Sequence, residues 1–241
     1  MAPDDPSSAF RDVDEQDAAK YIAYLDDQAR SPFWQARKRE TVEAMRLPAG
    51  GAGLDVGCGV GDEVRAIAEV AGRAVGVDSS EALIAEARSR SDHEFLVADA
   101  HELPFEDGTF DAVRVERTLQ HVEDPRKVVA EMVRVTRPGG RIVAIEPDWD
   151  TLEIAAAPLE ATRRVTRGWA DGIRHPDIGR RLPELLGTAD VEPRTWLIES
   201  FDLAEQQFEL SRLAPAEWLE QVRGGERFLA AVTYFLVTGT R

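Results

Sequence analysis

Short apolar runs alternate with amphipathic segments through the middle of the chain. Each run is apolar at consecutive positions, which is typical of strands buried on both faces of a parallel sheet. The runs lie at 53–56, 73–78, 94–99, 110–115 and 140–146. Helical periodicity covers the intervening segments 62–71, 80–90 and 124–136. This alternation predicts an α/β fold in which helices cover both faces of a parallel sheet.

The flanking regions follow other patterns. Apolar residues at helical spacing extend from about Asp14 to Leu47 and stop at Pro48. After the fifth run, the patterns predict helices at 158–173, 179–186 and 204–222, and strands at 194–201 and 228–241. The two late strands predict a β-hairpin that closes one edge of the sheet. The segment 146-EPDWDTLE-153, which follows the fifth run, predicts a polar loop that caps the next helix. The alternative is that its carboxylates supply a general base or a group that orients the acceptor.

Length and composition fit one domain. The chain has 241 residues, of which 43% are hydrophobic, and this suits one α/β domain with an insertion. Residues 1–12 are rich in Pro, Asp and Ser and predict a disordered tail. We therefore expect a single domain over 13–241, with N-terminal helices in 13–50 and an insertion in 150–225.

The charge and the cysteine count exclude several classes of partner. A formal net charge of −16 would repel phosphate backbones, which argues against a nucleic-acid substrate. No run reaches the roughly 18 apolar residues of a membrane-spanning helix, and the N-terminus lacks a basic, apolar leader. The single cysteine excludes an internal disulfide and fits a reducing compartment. These features predict a cytoplasmic protein.

A glycine loop, 57-GCGVG-61, follows the first predicted strand. Glycines allow a close backbone approach to a ligand, and Asp78 at the end of the second strand can accept hydrogen bonds from both hydroxyls of a ribose. A nicotinamide dinucleotide usually requires G-x-G-x-x-G, and here Asp62 and Glu63 would repel its pyrophosphate. S-adenosylmethionine carries no phosphate and has an ammonium group, so a nearby acid such as Asp55 is tolerated or useful.

Further motifs extend this pattern. Five segments together resemble the class I S-adenosylmethionine-dependent methyltransferases, namely LDVGCGVG, GVD, ADAHELPFEDGTFDAV, LQHVEDP and RVTRPGG. More narrowly, they are similar to the ubiquinone/menaquinone-biosynthesis type that acts on small molecules. The resemblance covers about residues 53–147 and implies a Rossmann-like sheet of seven mostly parallel strands with an antiparallel last strand. It also implies that an inserted helical cap in 150–225 binds the acceptor.

The resemblance assigns cofactor roles by position. Carried over residue by residue, it places Gly57, Cys58 and Gly59 at the methionine moiety, Asp78 and Ser79 at the ribose, Asp99 and Ala100 at the adenine, and Glu116 in the cofactor cleft. Tyr24, Phe33 and Arg37 of the N-terminal helices are candidates to cover the cofactor, although no motif fixes them. The alternative is that these three side chains pack a helix onto the sheet.

The histidines are scattered without the paired spacing of metal ligands. His121 is different because it lies just beyond the fourth strand, near the place where the methyl group should project. Methyl transfer from a sulfonium needs mainly proximity and alignment, and an acidic acceptor also needs its proton removed. His121 is therefore a candidate base or a wall of the pocket.

Two other functions stay open, namely a nicotinamide-dependent oxidoreductase and a methyltransferase-like cyclase or regulatory module that does not turn the cofactor over.

Overall fold

A seven-stranded sheet organises the chain in the computed structural model, which describes residues 13–15, 18–187, 190–198, 204, 210–224 and 228–241. The strands are β1 (Ala52–Val56), β2 (Arg73–Asp78), β3 (Glu94–Val97), β4 (Phe110–Glu116), β5 (Thr136–Ile154), β6 (Asp190–Ile198) and β7 (Ala230–Thr240). Their order across the sheet is β3-β2-β1-β4-β5-β7-β6. The first five strands are parallel, and β7 runs antiparallel to both β5 and β6. The predicted mostly parallel sheet with an antiparallel last strand is confirmed.

Helices connect the strands and cover both faces. They are α1 (Ala18–Arg30), α2 (Pro32–Ala44), α3 (Asp62–Ala68), α4 (Glu81–Arg90), α5 (Pro125–Val135), α6 (Leu159–Asp171), α7 (Ile178–Leu186), α8 (Leu210–Leu213) and α9 (Ala216–Arg223). Local sequence explains where several begin. The Ser80 hydroxyl accepts the Leu83 amide at the start of α4, and Asp124 accepts two amides before Pro125 opens α5.

The apolar core forms two layers, one on each face of the sheet. In β5, Val143 and Ile145 belong to one layer, whereas Ile142 and Ala144 belong to the other. Successive side chains of a strand point to opposite faces, so burial on both faces requires consecutive apolar residues. This explains the uninterrupted apolar runs of the sequence. Among the described residues, no helix is long and apolar enough to cross a membrane.

One local prediction needs correction, and another is confirmed. The segment 146–153 is not a polar loop, because β5 continues through it to Ile154 and pairs with β7. Its residues Asp148 and Trp149 are buried. The predicted pairing of the two late strands at one edge of the sheet is confirmed, with β7 inserted antiparallel between β5 and β6 and with β6 at the edge. The predicted tail at 1–12 and parts of the predicted strand at 194–201 and helix at 204–222 lie outside the described residues.

Candidate active site

The candidate site lies at the carboxyl edge of the sheet. The strand order runs outward from β1 to β3 on one side and from β4 to β5 on the other, so it reverses between β1 and β4. In open parallel sheets, ligands bind in the crevice beyond the strand ends at such a reversal. The loops after β1, β2 and β4 meet at this point.

The loop after β1 is a tight turn that depends on glycine. Gly57 and Gly59 have φ angles of +74° and +52°, which side chains disfavour. A Cβ on Gly57 would lie 2.1 Å from Oγ1 of Thr118, so any larger residue would collide with the loop after β4. The amides of Gly57 and Cys58 donate to the Val77 carbonyl oxygen at 2.8 and 3.0 Å, which ties the turn to the end of β2.

Cys58 fills space in this turn. It is buried, and burial raises the pKa of its thiol well above the usual range. Only a thiolate is a good nucleophile, so Cys58 is suited to packing and not to covalent chemistry. Its backbone amide, rather than its side chain, shapes the turn.

Asp78 links the loops after β1 and β2. Its Oδ2 accepts the Gly59 amide at 2.9 Å, and its Oδ1 accepts the Ser80 amide at 3.0 Å. Burial raises the pKa of Asp78, and these backbone hydrogen bonds oppose that rise. A carboxylate offers about four acceptor positions, so Asp78 retains capacity beyond these backbone amides. The neighbouring Ser79 is exposed.

Asp99 is paired with a histidine after β3. Its Oδ1 lies 2.6 Å from Nδ1 of His101 and accepts the His101 amide at 2.8 Å. The Asp124 amide donates to Nε2 of His101 at 3.1 Å, so Nε2 is the acceptor and Nδ1 carries the proton. The Asp99 side chain is 68% exposed, and Ala100 is half-buried. The predicted adenine carboxylate is therefore accessible and oriented by His101.

A buried ion-pair network lies behind the glycine loop. Asp55 of β1 and Arg114 of β4 are register partners, and Nη1 of Arg114 donates to Oδ1 of Asp55 at 2.8 Å. Arg114 also donates to Glu116, which lies on the same face of β4 two residues later. Burial raises the pKa of Asp55 to about 7, although Arg114 opposes the rise. Asp55 Oδ2 is buried and has no hydrogen-bond partner among the described residues.

Lys38 joins this network from the helix layer. Its Nζ lies 2.5 Å from Oε1 of Glu63 and 3.5 Å from Oδ2 of Asp62, both in the first turn of α3. Burial alone would raise the pKa of Glu63, but Lys38 and Arg114 lower it to about 2. Glu63 is therefore ionised at the start of the helix that follows the glycine loop.

The loop after β4 is clamped by Glu146 of β5. Oε1 of this fully buried residue accepts the amides of Thr118 and Leu119 at 2.8 and 2.7 Å. Burial raises the pKa of Glu146 to about 8, so the carboxyl group is protonated at neutral pH. Its Oε2 is buried without a hydrogen-bond partner among the described residues.

Further contacts support the far end of this loop. Nε1 of Trp149 donates to Oε1 of Gln120 at 2.6 Å, and Nε2 of His175 lies 3.0 Å from the Val122 carbonyl oxygen. Burial lowers the pKa of His175, so its neutral ring supports the loop. His121, half-buried between these anchors, donates its backbone amide to the Thr118 carbonyl oxygen at 2.9 Å.

The N-terminal segment packs against the glycine loop. Val13 and Tyr21 form a buried cluster with Val60 and Leu83. The Asp14 carboxylate accepts the amides of Glu81 and Ala82 at 2.8 and 3.1 Å and the Ser80 hydroxyl at 2.5 Å. Asp14 therefore caps α4 beside the Asp78 loop.

The three predicted covering residues lie on the adjacent helices. Tyr24 of α1 is half-buried, and Arg37 of α2 is half-buried and pairs with Glu40 at 2.7 Å. Phe33 lies within α2, and its side chain is outside the described part of the structure. Their role in covering the cofactor stays a prediction.

Several residues of the site escaped the sequence analysis. Arg114 offered a signal, because a lone charge inside an apolar strand needs a buried partner. Asp14 reaches α4 from a distant part of the chain, which no local pattern encodes. The pairing of His101 with Asp99, two residues apart, is local and typical of an Asx turn. Glu146 stood in an acidic segment at the correct edge of the sheet, but its clamp on the loop after β4 required the fold.

Comparison with known proteins identifies a family for the central part of the chain. A model of the methyltransferase-domain family matches residues 54–144. An uncharacterised 37.1 kDa protein in transposon TN4556 of Streptomyces fradiae is 36% identical over 90% of this chain and 70% of that protein.

Other matches cover less sequence or only the fold. A demethylmenaquinone methyltransferase of Bacillus cereus is 38% identical over 49% of this chain. That match spans 54% of the relative, so about half of its length has a counterpart here. The YcgJ protein of Bacillus subtilis aligns with a TM-score of 0.63 at 17% identity, over 86% of this chain and 98% of YcgJ. This similarity concerns the fold.

Proposed function

We propose that this chain, which belongs to the class I S-adenosylmethionine-dependent methyltransferases, transfers a methyl group from S-adenosylmethionine to a small-molecule acceptor. The observation that carries the proposal is Asp78, whose carboxylate joins the glycine loop and the next loop while keeping acceptor capacity. An adenosine ribose supplies two hydroxyl donors of the required kind. The demethylmenaquinone methyltransferase relatives support an acceptor from quinone or natural-product biosynthesis.

The buried carboxylate oxygens of the site suit a cationic cofactor better than a dinucleotide. Asp55 Oδ2 and Glu116 Oε1 are buried acceptors without hydrogen-bond partners among the described residues. An ammonium group supplies the donors that such oxygens lack. The ionised Glu63 at the start of α3 would repel a pyrophosphate at the position where dinucleotides place it. This arrangement favours S-adenosylmethionine over a nicotinamide cofactor.

Each loop then has its own binding role in the proposal. The turn at Gly57, Cys58 and Gly59 would hold the methionine moiety, Asp78 and Ser79 the ribose, and Asp99 and Ala100 the adenine. Asp55 and Glu116 would attract the ammonium group, and Tyr24, Phe33 and Arg37 would cover the ligand. The acceptor would lie between the loop after β4 and the segment 150–225.

Alignment is the main task of the protein in such a reaction. When bound, S-adenosylmethionine supplies a methyl group on a sulfonium, which is a strong leaving group. The loop after β4 is held by Glu146 and Trp149 of β5, so it can fix an acceptor in line with that methyl group. His121 in this loop is our candidate to take a proton from an acidic acceptor.

Incubation with methyl-labelled S-adenosylmethionine tests the proposal. A panel of phenolic, quinonoid and glycosidic acceptors would be analysed by mass spectrometry for labelled product, and S-adenosylhomocysteine binding would be measured by calorimetry. Cofactor binding with a labelled product supports the proposal. Failure to bind S-adenosylhomocysteine would contradict it, and binding with consumption of an acceptor but no label would indicate cyclase-type chemistry.

His121→Gln then tests the proton-transfer role. If His121 is a general base, the single-turnover rate should fall by about 10²–10⁴-fold while cofactor affinity is retained. If His121 is a wall of the pocket, the Gln variant keeps the volume and the rate changes only a few-fold. Rates of both proteins measured from pH 5.5 to 8.5 separate the two roles, because only a base shows a titration that disappears in the variant.

A further inference from the structure

Arg117 has an unusual backbone for an arginine. Its φ angle is +50°, and among the described residues only Arg46 and Arg117 are non-glycine residues with positive φ. Arg46 is exposed just after α2, whereas Arg117 directly follows β4 in the candidate site. A left-handed backbone costs free energy in a residue with a side chain, and such strain concentrates at functional positions.

The surrounding structure enforces this conformation. The Arg117 amide donates to the Ile145 carbonyl oxygen at 3.0 Å, and the next two amides donate to Oε1 of Glu146. These three hydrogen bonds fix the turn that holds Arg117 at the end of β4, within the candidate site. An asparagine or glycine would adopt the turn with less strain, so the arginine must contribute through its side chain.

The guanidinium group is enclosed but incompletely bound. The side chain is 15% exposed and lies over the Trp34 ring at 4.0 Å. Its Nη1 donates to Oε1 of Gln28 at 3.3 Å, and its Nε lies 3.6 Å from Oε1 of Glu116, which is too far for a hydrogen bond. Nε has no hydrogen-bond partner among the described residues.

The other buried cations of the site are bound more closely. Arg114 donates to Asp55 at 2.8 Å, and Lys38 lies 2.5 Å from Glu63. The carboxylate nearest to Arg117 belongs to Glu116, and Arg114 already donates to it. Glu116 forms an ion pair with Arg117 but leaves its Nε without a hydrogen bond, so the planar fork of the guanidinium can donate to a further anionic oxygen, such as that of a carboxylate or phenolate.

We infer that Arg117 is a specificity-determining residue that binds an anionic oxygen of a small molecule held in the candidate site. The inference rests on the proposed function. Two molecules could bring that oxygen: the cofactor, through its amino-acid carboxylate, or the acceptor, through a carboxylate or an ionised hydroxyl. The chemistry of recognition is the same for both, and ligand binding can tell them apart.

Calorimetric titration of Arg117→Gln tests the inference with three probes. S-adenosylhomocysteine carries the carboxylate, 5′-methylthioadenosine lacks the whole amino-acid end, and benzoate added to the S-adenosylhomocysteine complex represents an anionic acceptor. If the cofactor brings the anion, the Kd for S-adenosylhomocysteine rises by roughly 10–100-fold and that for 5′-methylthioadenosine stays unchanged. If the acceptor brings it, wild-type protein binds benzoate and the variant loses that binding by a similar factor.

Matched variants separate ligand binding from packing. Arg39→Gln removes an exposed charge from the helix that carries Trp34 and should bind all three probes like wild type. Arg117→Gly removes both the side chain and the backbone strain, so it should lose the same ligand without a fall in Tm. Arg117→Lys keeps the charge without the fork and should lie between. It also serves if the Gln variant does not fold, because the ratio of the two nucleoside affinities is independent of overall stability.

Two results would overturn the inference. One is an Arg117→Gln protein that binds all three probes with wild-type affinity. The other is an equal loss for S-adenosylhomocysteine and 5′-methylthioadenosine, which would mean that Arg117 only supports the packing around Trp34. A wild-type protein that binds no S-adenosylhomocysteine would instead refute the proposed function itself, before any variant is made.

Discussion

The two sides of the candidate site are built by different kinds of contact. On the proposed cofactor side, formed by the loops after β1 and β2, backbone amides donate to the next strand of the chain, as where the Gly59 amide donates to Asp78 19 residues later. On the side of β4 and β5, side chains reach across long stretches of sequence, as Glu146 does to Thr118 and His175 to Val122. A short motif therefore builds the glycine loop and its link to Asp78, whereas the Asp55–Arg114 pair behind that loop and the whole second side depend on the assembled fold.

The difference between the two sides matches the different demands of a shared cofactor and of acceptors that differ between enzymes. The family match ends at residue 144, just before the segment that carries Glu146 and Trp149. A cofactor shared by many enzymes favours a fixed, locally built loop, while acceptors differ and are selected by connecting segments on a rigid scaffold. The loop after β4 touches both sides, since Thr118 contacts Gly57 and is clamped by Glu146.

Arg114→Met should have the largest effect, because the cofactor side rests on a buried ion pair. Removing the cation leaves Asp55 and Glu116 buried without it, and breaking such a pair costs about 3–5 kcal/mol. Urea unfolding at pH 8 measures the loss. At pH 5 the loss should be smaller, since an unpaired buried carboxyl group can then be protonated.

A second arginine provides the matched control for this prediction. Arg73 of β2 also pairs with a carboxylate on the adjacent strand, Glu94, but both side chains are 44% exposed. Arg73→Met should therefore cost less than about 1 kcal/mol. Equal losses in the two variants would contradict the special importance of the buried pair.

Asp78→Ala should have the next largest effect, which is a loss of cofactor affinity. If Asp78 accepts both ribose hydroxyls, the variant loses two charge-assisted hydrogen bonds, or about 2–4 kcal/mol of binding free energy. Calorimetry with S-adenosylhomocysteine measures this, and Asp92→Ala, an exposed position after α4, is the control. Unchanged affinity in Asp78→Ala would remove the ribose assignment and with it the contrast between the two sides.

Much of the cofactor side could be predicted from sequence, for a physical reason. Consecutive apolar residues mark strands buried on both faces, and glycines mark a turn such as Gly57 where a Cβ would collide with Thr118. These features act over a few residues, so a local pattern contains them. The predicted cofactor loop and the five parallel strands follow from such patterns.

The remaining features depend on which distant residues meet. Asp55 and Arg114 pair because β1 and β4 are register neighbours, and neither strand alone reveals that register. The segment 146–153 looked like a loop because its acids are polar, yet Asp148 is buried and bound by Arg180. The insertion of β7 beside β5 likewise reflects sheet topology, which two late strand patterns cannot specify.

Glu146→Gln tests the side of the site formed by β4 and β5 through the pH dependence of the free energy of unfolding. Burial raises the pKa of Glu146 to about 8 in the folded protein, so the folded state keeps a proton that the unfolded state loses above its ordinary pKa. Wild-type stability should therefore fall as pH rises from about 4.5 to 8, by up to about 1.4 kcal/mol per pH unit from this group.

The Gln variant lacks this titration but keeps an oxygen for the Thr118 and Leu119 amides. Relative to wild type, its free energy of unfolding should rise by roughly 2–3 kcal/mol between pH 5 and pH 7. Urea unfolding of both proteins across this range cancels the other titrating groups. A difference that stays constant with pH would mean that Glu146 is ionised in the folded protein.

Asp14→Ala should have the smallest effect, and it asks whether the cofactor side is complete without its N-terminal cover. Asp14 caps α4 from a distant segment, so it is, like the Asp55–Arg114 pair, a long-range contact on a side whose glycine loop is built locally. Loss of a helix cap costs about 0.5–2 kcal/mol.

Because the Ser80 hydroxyl donates to Asp14, Ser80→Ala should remove part of the same interaction. The double variant should therefore lose less stability than the sum of the two single variants. Additive losses would show that the hydrogen bond between Ser80 and Asp14 contributes nothing and that Asp14 acts only through the Glu81 and Ala82 amides. A fall of only a few-fold in S-adenosylhomocysteine affinity would mark the cover as an aid to binding, whereas a loss as large as that of Asp78→Ala would make it part of the site.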